Sequence, residues 1–217
     1  MKTRSLWGKP PSRFYRFLTR VENEFGSGGL RIGILGCSDG KFVLPPARKG
    51  YKVLAIDIDQ KALFGGVKTD ITGEVNMEGL VSRLKREGLS KSVKVLCCDF
   101  TELKPNSKLH AVWTSGAINY SYNLKHEVSS IIDSIKLYIV RGGFIYFDYM
   151  MPIEPMHHER ANYFKKDELV RFFKDGKWKI IYNKVMPIQL EKAHVDMPVD
   201  HYHQWGHLCV QLKYLNE

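Results

Sequence analysis

A tight turn and a later aspartate are the parts of this sequence best suited to bind a ligand. The turn Gly36-Cys37-Ser38-Asp39-Gly40 follows the apolar run Ile32–Leu35, and Asp57 follows a second apolar run, Val53–Ile56. This order of strand, turn, helix-length segment, strand and acidic residue predicts a βαβ unit. Glycines let a backbone approach a ligand closely, and a carboxylate accepts hydrogen bonds from ribose hydroxyls. We therefore expect the unit to bind a nucleoside.

The spacing of the glycines distinguishes between two kinds of nucleoside site. A dinucleotide fingerprint has glycines at its first, third and sixth positions, which bring a pyrophosphate to the helix N-terminus. Counted from Gly36, the third and sixth positions hold Ser38 and Lys41, whereas the fifth is Gly40. The spacing therefore argues against an NAD-dependent enzyme.

The turn resembles motif I of the class I S-adenosylmethionine (SAM) dependent methyltransferases, whose usual form is G-x-G-x-G. Ser38 replaces the middle glycine, and Ile34 stands where many members have an acidic residue. The resemblance implies that SAM is the cofactor. It places Gly36, Ser38 and Gly40 at the methionine moiety and Asp57 at the ribose.

Two further strand ends extend the resemblance. Asp99 and Phe100 follow the third predicted strand, where the family has an acidic residue and an apolar side chain at the adenine. Ser115 and Gly116 follow the fourth strand, at the edge of the sheet where ligands of open α/β sheets bind. The residues expected to bind the cofactor are Gly36, Cys37, Ser38, Gly40, Asp57, Ile58, Asp99, Phe100, Ser115 and Gly116.

The predicted fold is α/β: a Rossmann-like, seven-stranded, mostly parallel sheet with helices on both faces and an antiparallel last strand. Apolar residues spaced by three and four predict a helix over Lys125–Val140, which Gly142-Gly143 ends before the strand Phe144–Met150. Trp178–Asn183 and Gly206–Tyr214 are the sixth and seventh predicted strands. The segment FKKDELVRFF and the tryptophan after it are loosely similar to the tail of tellurite-resistance-type and related small-molecule methyltransferases.

The segments before and after the βαβ unit are expected to border the ligand. The apolar spacing of Ser12–Phe25 predicts an amphipathic helix. The family resemblance implies that residues 1–29, which form this helix and a linker, cover cofactor and substrate. Residues 30–217 are predicted to be the SAM-binding part of a single overall domain. Gly65–Glu74 has glycine breaks and no clear period, and we interpret it as an inserted loop near the ligand mouth.

Composition and charge exclude several classes of protein. The 217 residues contain no apolar run of the roughly 18 residues that a membrane span needs. The basic N-terminus lacks the apolar core of a secretory signal, and the four cysteines lack C-x-x-C spacing. We therefore expect a cytoplasmic protein with free thiols. The net charge of +10 is spread along the chain, which favours a solvated basic surface over a nucleic-acid interface.

Methyl transfer from a sulfonium mainly requires alignment of the nucleophile, so the candidates for a general base are secondary. They are His194, Tyr120 and Asp148. His201, His203 and His207, with Asp196 and Asp200 nearby, are an alternative metal cluster. They match no fixed zinc spacing, so no metal site is predicted.

The favoured function is a SAM-dependent methyltransferase for a small-molecule acceptor. The N/D-P-P-Y/F motif of amino-group DNA methyltransferases is missing after the fourth strand, which argues against a DNA base as acceptor. An RNA methyltransferase, suggested by the charge of +10, stays open as an alternative. A SAM-binding or regulatory protein without turnover, suggested by the altered loop, stays open as well.

Overall fold

The chain alternates strands and helices in this computed structural model, which describes residues 5–70, 73–119, 126–154, 163–193 and 199–214. The helices are α1 Ser12–Phe25, α2 Leu44–Arg48, α3 Gln60–Phe64, α4 Leu80–Arg86 and α5 Val128–Lys136. The first six strands are β1 Arg31–Leu35, β2 Lys52–Asp57, β3 Gly66–Asp70, β4 Gly73–Met77, β5 Val93–Cys97 and β6 Leu109–Ser115. The remaining strands are β7 Ile139–Met150, β8 Trp178–Val185, β9 Gln189–Glu191, β10 His201–His203 and β11 Trp205–Leu212. Short 3-10 helices cover Ala117–Asn119 and Leu169–Phe173.

A seven-stranded sheet in the order β5-β2-β1-β6-β7-β11-β8 forms the centre of the fold. The first five strands in this order, β5, β2, β1, β6 and β7, pair in parallel, whereas β11 is antiparallel to both β7 and β8. The predicted fold class, including the antiparallel last strand, is confirmed. Because β1, β2, β5, β6 and β7 run in one direction, their carboxyl ends meet at one edge.

Each face of the sheet carries its own apolar layer of buried residues. Alternate residues of a strand point to opposite faces, so Trp113 and Tyr146 pack under α1, while Val112 and Ile145 pack on the other side. The rings of Trp113 and Tyr146 stack with their centroids 3.7 Å apart. Helix α5 covers the opposite face with isoleucines that include Ile132. The predicted helices on both faces are therefore present.

Helix α1 has the bounds that its periodicity predicts. Phe14, Phe17, Leu18 and Val21 recur at helical spacing, and all four are buried against the sheet. The helix ends at Phe25 and is capped by Gly26, which has φ +78° and whose N–H donates to the carbonyl oxygen of Glu22. The apolar face of the helix thus joins the N-terminal segment to the same core as the sheet.

The prediction for the α5–β7 region was partly wrong. Helix α5 ends at Lys136, and β7 already begins at Ile139, so Gly142 and Gly143 lie inside a strand instead of ending a helix. Gly142 has φ +75°, and the register with β6 shifts across these glycines. A Cβ on Gly142 would lie 2.2 Å from the hydroxyl oxygen of Tyr214. A bulge and a close contact explain the glycine pair.

The segment after α3 is also a correction. The predicted loop Gly65–Glu74 is largely part of an antiparallel hairpin, in which Gly66 of β3 pairs with Met77 of β4. The sequence hides this hairpin because its strands have little apolar alternation. Helix α3 precedes the hairpin, and α4 begins at Leu80, shortly after β4 ends at Met77.

None of the helices in the described ranges combines the length and the apolar character that crossing a membrane requires.

Candidate active site

The carboxyl edge of the parallel strands gathers the residues that the sequence marks for ligand binding. Asp57 at the end of β2 pairs in register with Cys97 at the end of β5, and Ser115 of β6 pairs with Asp148 of β7. The turns after β1 and β6 also touch. A Cβ on Gly36 would lie 2.3 Å from the Cβ of Ala117, and Gly36 has φ +71°.

Ser38 has a backbone conformation that favours glycine. Its φ is +44°, in the left-handed region that side chains other than glycine rarely adopt. Its N–H donates a 2.6 Å hydrogen bond to Oδ2 of Asp57, and its Oγ accepts one of 2.9 Å from Nε1 of Trp7. These two contacts hold the serine in a conformation that its side chain disfavours.

Asp57 accepts hydrogen bonds from the turn after β1 and from the turn after β2. Its Oδ1 accepts the N–H of Asp59 at 2.9 Å, in addition to the Ser38 N–H at Oδ2. Burial raises the pKa of this carboxyl group, and the backbone N–H groups partly oppose that rise. An ionised carboxylate has about four acceptor positions, so the backbone N–H groups do not occupy all of them.

Cys37 and Gly40 of the turn are closely packed. Cys37 is buried, and burial raises the pKa of its thiol well above the ordinary value. A Cβ on Gly40 would lie 2.5 Å from Cδ1 of Leu80 in α4. Of the turn's predicted contact residues, Cys37 therefore offers a ligand its main chain only.

Asp39 in the same turn has a role that the sequence does not reveal. Its Oδ1 accepts the hydroxyl of Ser5 at 2.5 Å, and its Oδ2 accepts the N–H of Leu6 at 2.7 Å. Nη1 of Arg83 donates to its carbonyl oxygen. With the Trp7 contact, these bonds place the N-terminal segment against the turn.

Asp99 and Phe100, the residues predicted to contact the adenine, have different surroundings. Oδ1 of Asp99 accepts both the N–H and the hydroxyl of Thr101, and its Oδ2 lies 3.4 Å from Nε2 of His126. The side chain of Phe100 is buried in the apolar layer under α5, not at the edge. Ile58, which follows Asp57, is exposed and available to a flat apolar ligand.

Asp148 is the centre of a buried polar cluster. Its Oδ2 accepts hydrogen bonds from Nη2 of Arg13 at 2.8 Å and from the hydroxyl of Ser115 at 2.9 Å, and its Oδ1 lies 2.7 Å from Nδ1 of His207. The N–H of Gly116 donates to the Asp148 carbonyl. Burial alone would raise the pKa of Asp148, but His207 and Arg13 outweigh it and lower the pKa below its ordinary value.

A cavity of about 440 Å³ opens beside this cluster, between α1 and strands β7, β11 and β8. Its cationic lining residues are Arg13, Arg16, Arg20 and Lys184. Its aromatic lining residues are Phe17, Tyr146 and Tyr182. Of the four cations, Arg13 alone has an acidic partner within the described ranges. The cavity is therefore suited to an anionic ligand with an apolar body.

Lys41 lies between the turn after β1 and this region. Burial, followed by the charge of Arg13, lowers its pKa, whereas Asp148, Asp39 and Glu191 act in the opposite direction. Glu191 belongs to the β9–β10 hairpin, so that hairpin also lies at the carboxyl edge.

Two predicted catalytic residues, His194 and Tyr120, lie outside the described residues.

The histidines of the alternative metal cluster lie in two different places. His207 contacts Asp148, while His201 and His203 contact each other and lie beside Glu191. The sequence spacing indicated that His201 and His203 share a face. It did not indicate Glu191, which lies beside them because the register of the hairpin pairs it with His201.

Comparison with known proteins identifies the fold. No protein-family model matches the chain, and no curated protein matches it in sequence. Among solved structures, TehB from Haemophilus influenzae superposes with a TM-score of 0.68 at 13% identity, covering 94% of this chain. The chain spans 63% of the length of TehB.

Two other solved structures superpose over most of the chain. Magnesium protoporphyrin IX methyltransferase (ChlM) from Synechocystis PCC 6803, with bound SAH, gives a TM-score of 0.61 at 14% identity over 94% of this chain and 82% of its own. The [4+2]-cyclase SpnF superposes with a TM-score of 0.60 at 14% identity, and the match covers 91% of this chain and 81% of SpnF. The chain has the fold of the class I SAM-dependent methyltransferases.

Proposed function

We propose that the protein is a SAM-dependent methyltransferase that acts on a small molecule. The observation that carries the proposal is the left-handed Ser38, whose N–H is bonded to Asp57. It gives the turn after β1 a left-handed residue, the conformation that glycine adopts most readily, at the middle position of the G-x-G-x-G motif. The altered motif is therefore compatible with a working cofactor loop.

The residues at the carboxyl edge suit the parts of SAM in order. The Asp57 carboxylate keeps acceptor capacity for the ribose hydroxyls. Exposed Ile58 offers an apolar contact to the adenine, and Asp99 an acceptor for its amino group. Ser115 and Gly116, beside Gly36, border the methionine end. Phe100 is expected to contribute through its main chain.

Bound SAM would supply an activated methyl group for transfer to a lone pair of the acceptor, with the bonding electrons remaining on its sulfur. The protein has to align the acceptor and exclude water. Asp148 suits the first task, because it fixes Arg13 at the cavity wall through a 2.8 Å ion pair. Since Arg13 and His207 lower its pKa, we assign Asp148 a positioning role and not that of a general base.

The cavity beside Asp148 is the proposed acceptor site. Its volume of about 440 Å³ lies within the range of small-molecule sites. The arginines and Lys184 favour a carboxylate or phosphate group on the acceptor, and Tyr146 and Tyr182 favour a ring or another apolar body. Helix α1, which carries the arginines, would then cover the acceptor as well as the sheet.

Calorimetric titration with SAM tests the cofactor assignment. Asp57→Asn should weaken SAM binding by at least about tenfold, because the lost carboxylate bonds are charge-assisted. The matched control is Asp133→Asn, a change at an exposed aspartate of α5. Equal SAM affinity of Asp57→Asn and the wild type would refute the assignment, provided that thermal unfolding shows both to be folded.

An RNA acceptor is the second candidate. It is favoured by the net charge of +10 and by exposed Arg16, Arg20 and Lys184 at one cavity. Tight RNA binding that weakens steeply with salt would support it. Salt-independent or undetectable RNA binding favours the small molecule. Detection of a methylated product by mass spectrometry would in turn exclude a SAM-binding protein without turnover.

A further inference from the structure

The β9–β10 hairpin brings three potential ligand atoms together at the carboxyl edge of the sheet. Nε2 of His201 lies 2.7 Å from Nε2 of His203, which lies 3.0 Å from Oε2 of Glu191. All three atoms lie within 4.8 Å of one another. His201 and His203 are two positions apart in a strand and therefore share a face, where both are buried.

The hydrogen bonding of His201 determines which nitrogen is available. Its Nδ1 lies 2.8 Å from the carbonyl oxygen of Val199. A carbonyl can only accept, so Nδ1 carries the proton and Nε2 presents its lone pair to His203 and Glu191. A backbone carbonyl on the second ring nitrogen is the usual way in which proteins orient a metal-binding imidazole.

A single proton does not account well for this arrangement. A proton on Nε2 of His203 can point at His201 or at Glu191, but not at both. A cation between the three atoms attracts all three lone pairs. Metal–nitrogen bonds of about 2.0–2.1 Å in a tetrahedron place ligand atoms about 3.3 Å apart, so the His201–His203 and His203–Glu191 pairs need to separate by only about 0.6 Å or less.

We propose that Glu191, His201 and His203 form a binding site for a divalent transition-metal ion, with Zn²⁺ as the ion they suit best. Two imidazoles and one carboxylate are borderline ligands that favour zinc over the oxygen-preferring Mg²⁺ and Ca²⁺. Three protein ligands leave a fourth position of a tetrahedral ion open to water or to another ligand.

The metal-binding hairpin lies next to the cationic cavity in the chain. The hairpin leaves the sheet between β8 and β11, where Val185 and Gly206 pair at the carboxyl edge. Met186, just beyond β8, lines the cationic cavity, and Glu191 acts electrostatically on Lys41 beside the cofactor turn. The chain therefore runs directly from the wall of the cavity into the metal-binding hairpin. The metal site itself stands without the proposed methyl transfer.

Zinc titration of the chelator-treated full chain by calorimetry tests the proposal. We expect one Zn²⁺ per chain, with affinity reduced at least about tenfold in His201→Ala and in Glu191→Gln. Tyr202→Ala is the matched control, because this exposed side chain lies between the histidines on the other face of β10. It should bind zinc as the wild type does. The absence of stoichiometric zinc binding in the wild type, or unchanged affinity in both ligand variants, would overturn the site.

Cobalt gives a second readout that needs no catalytic activity. The Co²⁺ absorption spectrum should differ from that of aqueous Co²⁺ in the wild type and in Tyr202→Ala, and should lose this difference in His203→Ala. If the histidine variants fail to fold, Glu191→Gln decides, because Glu191 is exposed. Excess Mg²⁺ should not displace the bound Co²⁺, and displacement would contradict the assignment. SAM titration of the zinc-free protein separates a failure here from a failure of the proposed function.

Discussion

The backbone N–H of Ser38 donates a 2.6 Å hydrogen bond to Oδ2 of Asp57, which joins the turn after β1 to the end of β2. The bond crosses the gap between the two sequence features that first indicate a nucleoside site. It also explains how a serine replaces the middle glycine of the motif, since the bond holds the residue at φ +44°. Trp7 adds a second restraint from the N-terminal segment.

The conformation of Ser38 predicts an unusual order of stability among its variants. Ser38→Gly relieves the strain of a positive φ but loses the Trp7 bond, so its free energy of unfolding should stay within about 1 kcal/mol of the wild type. Ser38→Val places a β-branched side chain in the left-handed region and should cost about 1–2 kcal/mol or more. Urea unfolding measures both. A valine variant as stable as the glycine variant would contradict the assigned conformation.

Helix α1 should be part of the common core and not a separate cover. Phe14 is fully buried, and its ring centroid lies 4.8 Å from that of Trp113. Phe14→Ala should therefore lower the free energy of unfolding by about 3–5 kcal/mol, in a single transition. The neighbouring Tyr15→Ala, at an exposed position, should change it by only about 0.5 kcal/mol. A separate early transition in Phe14→Ala would instead show that the helix unfolds alone.

The Asp148 cluster should make stability depend on pH in the acid range. Because the pKa of Asp148 is lower in the folded protein than in the unfolded chain, its contribution is complete above about pH 3.9. It is lost as the pH falls through the folded pKa. Asp148→Asn should cost about 3 kcal/mol at neutral pH, because it breaks a buried pair. The difference from the wild type should shrink on acidification, as measured by denaturant unfolding at several pH values. A difference independent of pH would contradict the depressed pKa.

The charge of the cavity predicts its ligand preference. Benzoate and phenyl phosphate should bind the wild type, and Arg20→Gln should weaken both by about tenfold, the effect of one charge-assisted hydrogen bond. Arg141→Gln is the control, because Arg141 is exposed on β7 and does not line the cavity. Calorimetry gives both affinities. Equal weakening by the two changes would indicate a general charge effect, and binding of neither probe would argue against an anionic acceptor.

Local patterns predicted the elements that depend on local physics. The apolar spacing of α1 and the apolar runs of β1 and β2 each reflect burial of one helix face or of a whole strand, so they are readable within a short window. The Gly142-Gly143 pair was misread because glycine both ends helices and permits strand bulges. Only the pairing of β7 with β6 decides between these roles.

The site was predictable at strand ends and much less so between distant segments. Asp57 and Ser115 follow apolar runs, and the parallel topology brings such ends together. The partners of Asp148 were not predictable, since Arg13 lies 135 positions away and His207 is placed by the antiparallel register of β11. Glu191 likewise meets His201 only through a hairpin register.

A crystal structure with bound S-adenosylhomocysteine tests the central claim most directly. It should show both ribose hydroxyls within hydrogen-bonding distance of the Asp57 carboxylate, without loss of the Ser38 bond. The sulfur should lie beside Ser115 and Gly116 and face the cavity that Arg13 lines. A ligand bound elsewhere, or a ribose that makes no contact with Asp57, would contradict the assignment of this edge as a methyl-transfer site.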